Sequence, residues 1–196
     1  MTKPGGHGAA MQVVFDRGET ALLLSCMDLR LLDEIVRELD KRGLTNRYDH
    51  VILAGASLGA VTPRFPHWGR MFYEHLALAK TLHGVTRVII LDHRDCGAYE
   101  QLLHLQLAKD KDREAQVHLA HQQKLRRKIH ALDPTLQVDC WLMDLAGTIH
   151  DASAEPDLWL PGISERRRTT RKARQVRRSP LAARSKRRTG RARPRR

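Results

Sequence analysis

The sequence predicts an α/β domain with a mostly parallel central sheet and flanking helices. Three observations predict it. Short apolar runs alternate with stretches whose apolar residues recur at helical spacing, glycine or proline stands at several of the junctions, and strand and helix alternate three times in succession. Such alternation favours parallel strands joined by helical crossovers, which are right-handed almost without exception.

The elements follow in order. Residues 21–24 form the first apolar run and read as a buried strand. Leu31, Leu32, Ile35, Val36 and Leu39 then recur at helical spacing, and Gly43 is placed to end that helix. Residues 50–54 read as the second strand, followed by a small-residue loop through Gly55, Ser57 and Gly59. Residues 68–83 repeat the helical pattern through Met71, Phe72, Leu76 and Ala79, and Gly84 separates them from a third strand at 85–91. Residues 112–132 predict a long polar helix closed by Pro134, and residues 136–143 a fourth strand. There is no internal repeat.

Charge divides the chain into unlike parts. Residues 166–196 hold 16 Lys or Arg and no acid, a net +16, whereas residues 1–165 carry a net −3. The division expected is an N-terminal arm at 1–19, a metal-binding α/β domain at 20–165 and a basic tail at 166–196. So few apolar residues in the tail cannot offset chain entropy, so it is expected to be disordered in isolation. Arg-rich segments bind nucleic acid through counterion release, but no aromatic residue is interleaved for base stacking. The expectation is therefore a non-specific electrostatic contact, or the read-through of a GC-rich frame with no selected role. No apolar stretch approaches the ~20 residues of a membrane helix, and residues 1–10 lack the pattern of a secretory signal. Three cysteines make no disulfide framework, and the expected compartment is the cytoplasm.

Two segments carry the chemistry: Cys26-Met27-Asp28-Leu29-Arg30 and His93-Arg94-Asp95-Cys96-Gly97, each at the end of an apolar run. Open parallel sheets place their ligand sites at the edge where strands leave. Zinc prefers thiolate and imidazole donors, and three protein ligands with a fourth position left for water mark a catalytic site. Cys26, His93 and Cys96 are the three candidates, with His93 and Cys96 reaching one ion from a single turn. Gly97 is read as a sharp turn into a helix whose positive end favours the Cys96 thiolate. Asp28 can take the fourth zinc position or accept a hydrogen bond from zinc-held water, and Arg30 can choose between those states through a charge-assisted pair. Two thiolates cancel the charge of the ion, so its water ionises less readily than at an all-histidine site, near ~7, and alkaline pH is favoured.

At these residues the chain resembles the β-class carbonic anhydrases, which carry a Cys-x-Asp-x-Arg segment and a His-x-x-Cys-Gly segment. Cys26, Asp28, Arg30, His93, Cys96 and Gly97 match position by position, and Trp141-Leu142-Met143-Asp144-Leu145-Ala146-Gly147 looks like the family's late strand and turn. The likeness covers roughly residues 20–150. It implies a β-carbonic-anhydrase-like fold, Zn2+ on the two cysteines and the histidine, and reversible hydration of carbon dioxide to bicarbonate by zinc-bound hydroxide. The Asp28–Arg30 pair would control the open position, and a homodimer or higher assembly would complete the site. The chain departs from the family at Ile52-Leu53-Ala54-Gly55, where a polar Arg-Asn pair is replaced, and at Pro63-Arg64-Phe65-Pro66-His67-Trp68, an added stretch. A more apolar Ile52-Leu53 wall would suit carbonyl sulfide or carbon disulfide as substrate. A third alternative is a non-catalytic zinc protein with Asp28 permanently on the metal and a nucleic-acid-binding tail.

Other features read as structural. Gly55-Ala56-Ser57-Leu58-Gly59 lacks a full phosphate-loop signature and is read as small residues that let the backbone pass close to the cavity. His118 and His121 are read as a solvated helix face, and Cys140 as core.

Overall fold

The first strand, β1 (Ala21–Ser25), is buried along its whole length. It lies inside a five-stranded sheet of order β2-β1-β3-β4-β5, formed with β2 (Tyr48–Ile52), β3 (Arg87–His93), β4 (Gln137–Met143) and β5 (Ile149–Asp151). The first three pairings are parallel and β4–β5 is antiparallel. A parallel strand covered on both faces has no solvent side to mark with polar residues, which is why this stretch reads as an unbroken apolar run. The computed structural model describes residues 15–16 and 18–152, so the basic tail and most of the N-terminal arm lie outside the described residues.

Alternate residues of the central strands feed two cores. Leu22, Leu24, Val88 and Ile90 pack with Phe72 and Leu76 of α3 (Pro66–His83) and with Leu125 and Ile129 of α5 (Lys111–Leu132). Leu23, Ile89 and Leu91 pack on the other face with Ile35 and Leu39 of α1 (Leu32–Lys41), together with Trp141. Phe15, within the stretch assigned to the arm, closes this second core, its ring 6.3 Å from that of Trp141 in an edge-on arrangement. Each such buried aliphatic or aromatic side chain contributes roughly 1.5–3 kcal/mol. A smaller cluster of Leu58, Cys96, Tyr99 and Leu107 underlies α4 (Gly97–Leu103).

Helix ends follow local chemistry. Asp110 caps α5 by accepting from the Arg113 amide at 3.0 Å. Gly84 ends α3 in the left-handed conformation, φ +63°, a position without steric penalty for glycine.

Several elements differ from expectation. The second strand runs Tyr48–Ile52 rather than 50–54 because its pairing with β1, Ser25 opposite Ile52, ends there. The third strand continues through His93. The glycine-rich stretch expected to be a loop forms a short helix, α2 (Ser57–Val61), anchored by the Ser57 amide and hydroxyl on the Asp92 carboxylate at 3.0 and 2.6 Å. Its close approach requires Gly59, where a Cβ would lie 2.6 Å from the Ala54 carbonyl oxygen. The strand β5 has no counterpart in the four-strand expectation. His118 does not face solvent: it is 1% exposed and hydrogen-bonds Asp92 at 3.2 Å, while His121 is half-buried with its ring against Tyr99.

The order β2-β1-β3 means that the chain leaves β1 to one side and crosses back to the other. The crevice at such a reversal, beyond the carboxyl ends of the strands, is where open α/β sheets receive ligands. Here it lies between the ends of β1 and β3.

Candidate metal centre

Cys26 follows the last residue of β1, His93 ends β3, and Cys96 precedes α4. Because β1 and β3 are paired neighbours, with Ser25 opposite Leu91, the two segments converge although the cysteines are 70 residues apart. Their donor atoms lie within 4.8 Å of one another, and the two sulfurs are 3.8 Å apart. Two sulfurs on one tetrahedral zinc, each at about 2.3 Å, stand about 3.8 Å apart.

The histidine is oriented for the same task. Its Nδ1–H donates to the Arg94 carbonyl at 2.8 Å, which fixes the tautomer and leaves the Nε2 lone pair facing the site. His93 Nε2 is buried and has no hydrogen-bond partner among the described residues. An orphaned acceptor beside two sulfurs at this spacing fits a tetrahedral cation. Around it, Cys26 Sγ also accepts from the Gly55 amide at 3.3 Å.

The two sulfurs lie within hydrogen-bond distance, and either can be the donor. A hydrogen bond from Cys96, with help from His93 and the Gly55 amide, lowers the Cys26 pKa against the cost of burial. The same bond to Cys26, followed by burial, pushes Cys96 far up, and the Ala98 and Tyr99 amides at the start of α4 oppose this without reversing it. The helix start does not by itself make Cys96 the thiolate. Burial lowers the His93 pKa, but Cys26, the Arg94 carbonyl and Asp28 together raise it by more. Nor is Gly97 the sharp turn: its surroundings are open, and the left-handed residue is Asp95, φ +55°.

Asp28 faces the cavity with Oδ2 3.7 Å from His93 Nε2, within reach of the fourth position. Arg30 occupies both of its oxygens: Nε donates to Oδ1 at 2.9 Å and Nη2 to Oδ2 at 2.8 Å, while the Arg30 amide adds a third bond at 3.0 Å. These bonds lower the Asp28 carboxyl to about 2 and raise the guanidinium pKa. The sequence did not reveal that Arg30 is itself held by a second carboxylate, Asp95, at 2.9 Å, and by the Asp95 carbonyl at 3.0 Å.

A second group escaped the sequence reading. Asp92, one residue before His93 and 1% exposed, accepts from Ser57, from the Tyr99 hydroxyl at 2.9 Å and from His118 Nδ1 at 3.2 Å. One carboxylate thus ties β3 to α2, α4 and α5. An acid terminating an otherwise apolar run was the available signal.

Cys26, Met27, Asp28, Arg30, Ala54 and Ala98 line a cavity of about 610 Å3. Ile52 and Leu53 do not line it: Ile52 is 45% exposed at the sheet edge and Leu53 is in the core. The apolar wall that favoured a sulfur substrate is absent from the described cavity.

No protein-family model matches the chain. Among solved structures it is similar to the β-carbonic anhydrase CafA of Aspergillus fumigatus, at 17% identity and a TM-score of 0.47 over 71% of this chain and 78% of that one. It is also similar to a carbonic anhydrase from Streptococcus mutans, at 18% identity and a TM-score of 0.41 over 74% of this chain and 87% of that one. Similarity at that level transfers no activity. In sequence it is 37% identical over 130 residues to an uncharacterized protein of Rickettsia bellii, covering 66% of this chain and 79% of that protein. It is 35% identical, also over 130 residues, to an uncharacterized protein of Rickettsia conorii, covering 66% of this chain and 70% of that one. On these matches the chain belongs to the same family as the two rickettsial proteins.

Proposed function

We propose that the chain is a zinc-dependent carbonic anhydrase that catalyses the reversible hydration of carbon dioxide to bicarbonate. One observation carries the reading: two sulfurs 3.8 Å apart and an orphaned imidazole nitrogen face a carboxylate whose two oxygens are both engaged by Arg30. Cys26, His93 and Cys96 would hold the ion. When bound, zinc supplies a Lewis acid that acidifies water at its fourth position and so provides the nucleophile for the carbon of carbon dioxide.

The chain's own residues do the rest. Arg30 engages both Asp28 oxygens and keeps the carboxyl ionised, so that near neutral pH its remaining lone pairs only accept hydrogen bonds. An acceptor there selects an oxygen that carries a proton, as water and bicarbonate do. The apolar side chains of Met27, Leu29, Ala54 and Ala98 give carbon dioxide, which has no hydrogen to donate, a wall it does not have to desolvate.

We assign the working form to a homodimer or higher assembly. Met27 is 68% and Leu29 91% exposed on the rim, and Leu32, Val36 and Ile52 nearby in the sequence of these elements are exposed as well. Covering such side chains with a second copy would remove apolar surface from water.

Stopped-flow hydration by the zinc-loaded full chain tests the proposal. Cys96→Ser is expected to lose zinc and activity together. Arg30→Ala is expected to keep zinc, because the released Asp28 can reach the metal, and to lose hydration. Hydration in both variants at the wild-type rate would refute the mechanism, and hydrogen sulfide release from carbonyl sulfide without carbon dioxide hydration would reassign the substrate. Among the described residues no helix is long and apolar enough to cross a membrane.

A further inference from the structure

The added stretch that sets this chain apart helps to line a second cleft, of about 380 Å3, that shares no lining residue with the metal cavity. Its walls come from the end of α2, the segment leading into α3, and α5. Arg70 projects from α3, and Lys124 and Lys128 stand one turn apart on α5, while no described residue lining the cleft is acidic. Among the described residues none of the three cations has an ion-pair partner, whereas Arg30, Arg37, Arg42, Arg87 and Arg94 each have one. Lys124 Nζ reaches only the Val61 carbonyl, at 3.4 Å. Burial, and then the neighbouring charge of Lys128, lower the Lys124 pKa.

Two hydroxyls complete the lining. Tyr73 Oη is shut off from solvent and has no hydrogen-bond partner among the described residues. A buried phenol normally finds one. Thr62 Oγ1 accepts from the Arg64 amide at 3.3 Å, so its own proton is free to donate. The wall is fixed in place by close packing: a Cβ at Gly69 would lie 2.5 Å from the Ala60 carbonyl oxygen, so α2 and α3 meet backbone to backbone.

Three exposed cations around one cleft, with the Thr62 hydroxyl beside them and no carboxylate among its lining residues to neutralise them, are complementary to an anion rich in acceptor oxygens. We propose that this cleft binds an oxyanion of the phosphate type, with Arg70, Lys124 and Lys128 balancing its charge and the Thr62 hydroxyl free to donate a hydrogen bond to it. The volume is at the lower end of small-molecule sites and leaves room for a compact organic body beside the anion. The shared chemistry is the phosphate group, supplied either as the free ion or by a small phosphorylated metabolite. The inference is independent of the metal centre and of the reaction proposed there.

Calorimetric titration of the full chain at physiological chloride, with inorganic phosphate and with ribose 5-phosphate, tests it. Residues 166–196 are present in every variant, so their charge contributes a common background. The wild type is expected to show one saturable event per chain, tighter for whichever source the cleft serves. Lys124→Gln combined with Lys128→Gln is expected to weaken it about tenfold or more, and Thr62→Val about three- to fivefold. Arg70→Gln, on a different helix, repeats the charge test should the double variant not fold. Absence of a saturable event in the wild type, or an event unchanged in the variants that fold, would overturn the proposal.

Discussion

Replacing Gly59 by alanine should loosen the metal centre from a distance. The new methyl would sit 2.6 Å from the Ala54 carbonyl oxygen. Ordinary contact needs about 3.4 Å, so the peptide unit must yield by most of an ångström, a change that in packed cores costs roughly 1–3 kcal/mol. Against this, alanine gains about 1 kcal/mol over glycine within a helix. The net expectation is a destabilisation of about 1 kcal/mol, or a melting temperature lower by roughly 2–4 °C for a domain of this size. The Ala54 oxygen belongs to the same peptide plane as the Gly55 N–H, which donates to Cys26 Sγ at 3.3 Å. Displacing that plane lengthens the bond to the thiolate, and loss of such an outer partner typically lowers metal affinity about tenfold or more. Thermal melting and zinc transfer to a colorimetric chelator measure the two effects on one protein. A Gly59→Ala variant that melts higher and holds zinc as tightly as the wild type would refute the reasoning.

Other perturbations separate local from long-range causes. Gly97→Ala, between Cys96 and the rest of α4, meets open space and no left-handed backbone, so its melting temperature and zinc transfer should match the wild type. Tyr99→Phe removes one donor from the buried Asp92 carboxylate and one contact from Ser57; a loss of about 1–2 kcal/mol is expected in chemical denaturation. Asp133 is held below the ordinary carboxylate range, first by the Lys80 hydrogen bond and then by Thr135. A depressed folded-state pKa stabilises the fold above the ordinary value of 3.8 and withdraws that contribution as pH falls below it. Melting curves of Asp133→Asn should therefore fall less steeply with acid than those of the wild type, and parallel acid limbs would count against the assignment.

The parts of the molecule legible in the sequence were those that hydropathy encodes. Residues 21–24 and 88–91 are apolar because both faces of β1 and β3 are covered, and α1, α3 and α5 announce themselves through Ile35, Leu39, Phe72, Leu76 and Ala79 or through length. The convergence of the candidate donors Cys26, His93 and Cys96 was legible because chemically distinctive residues stand at strand ends with short spacing. What stayed hidden depends on partners distant in the chain. The α2 segment looks like a loop because glycine and alanine carry little helical signal, and it is held by Ser57 on Asp92 instead. Glu114, His118 and Gln122 recur every four residues as a polar stripe, which periodicity assigns to solvent. They are buried, because Arg94, Asp92 and the Trp141 carbonyl meet them from the sheet. Asp95 gives no sign in sequence that it supports Arg30, since only folding brings it alongside.

The threading of the sheet has a consequence for how such a protein can diverge. The two metal-bearing segments belong to adjacent central strands, while the chain between them makes a long excursion through α1, the outer strand and two helices. Of that excursion, Gly55 and Ser57 return to hydrogen-bond Cys26 and the carboxylate beside His93, and Leu58 packs with Cys96. Exposed parts of the remainder, such as the segment from Pro63 to Pro66 that leads into α3, can vary without touching the donor atoms and so can acquire duties of their own while the chemistry next door stays in register.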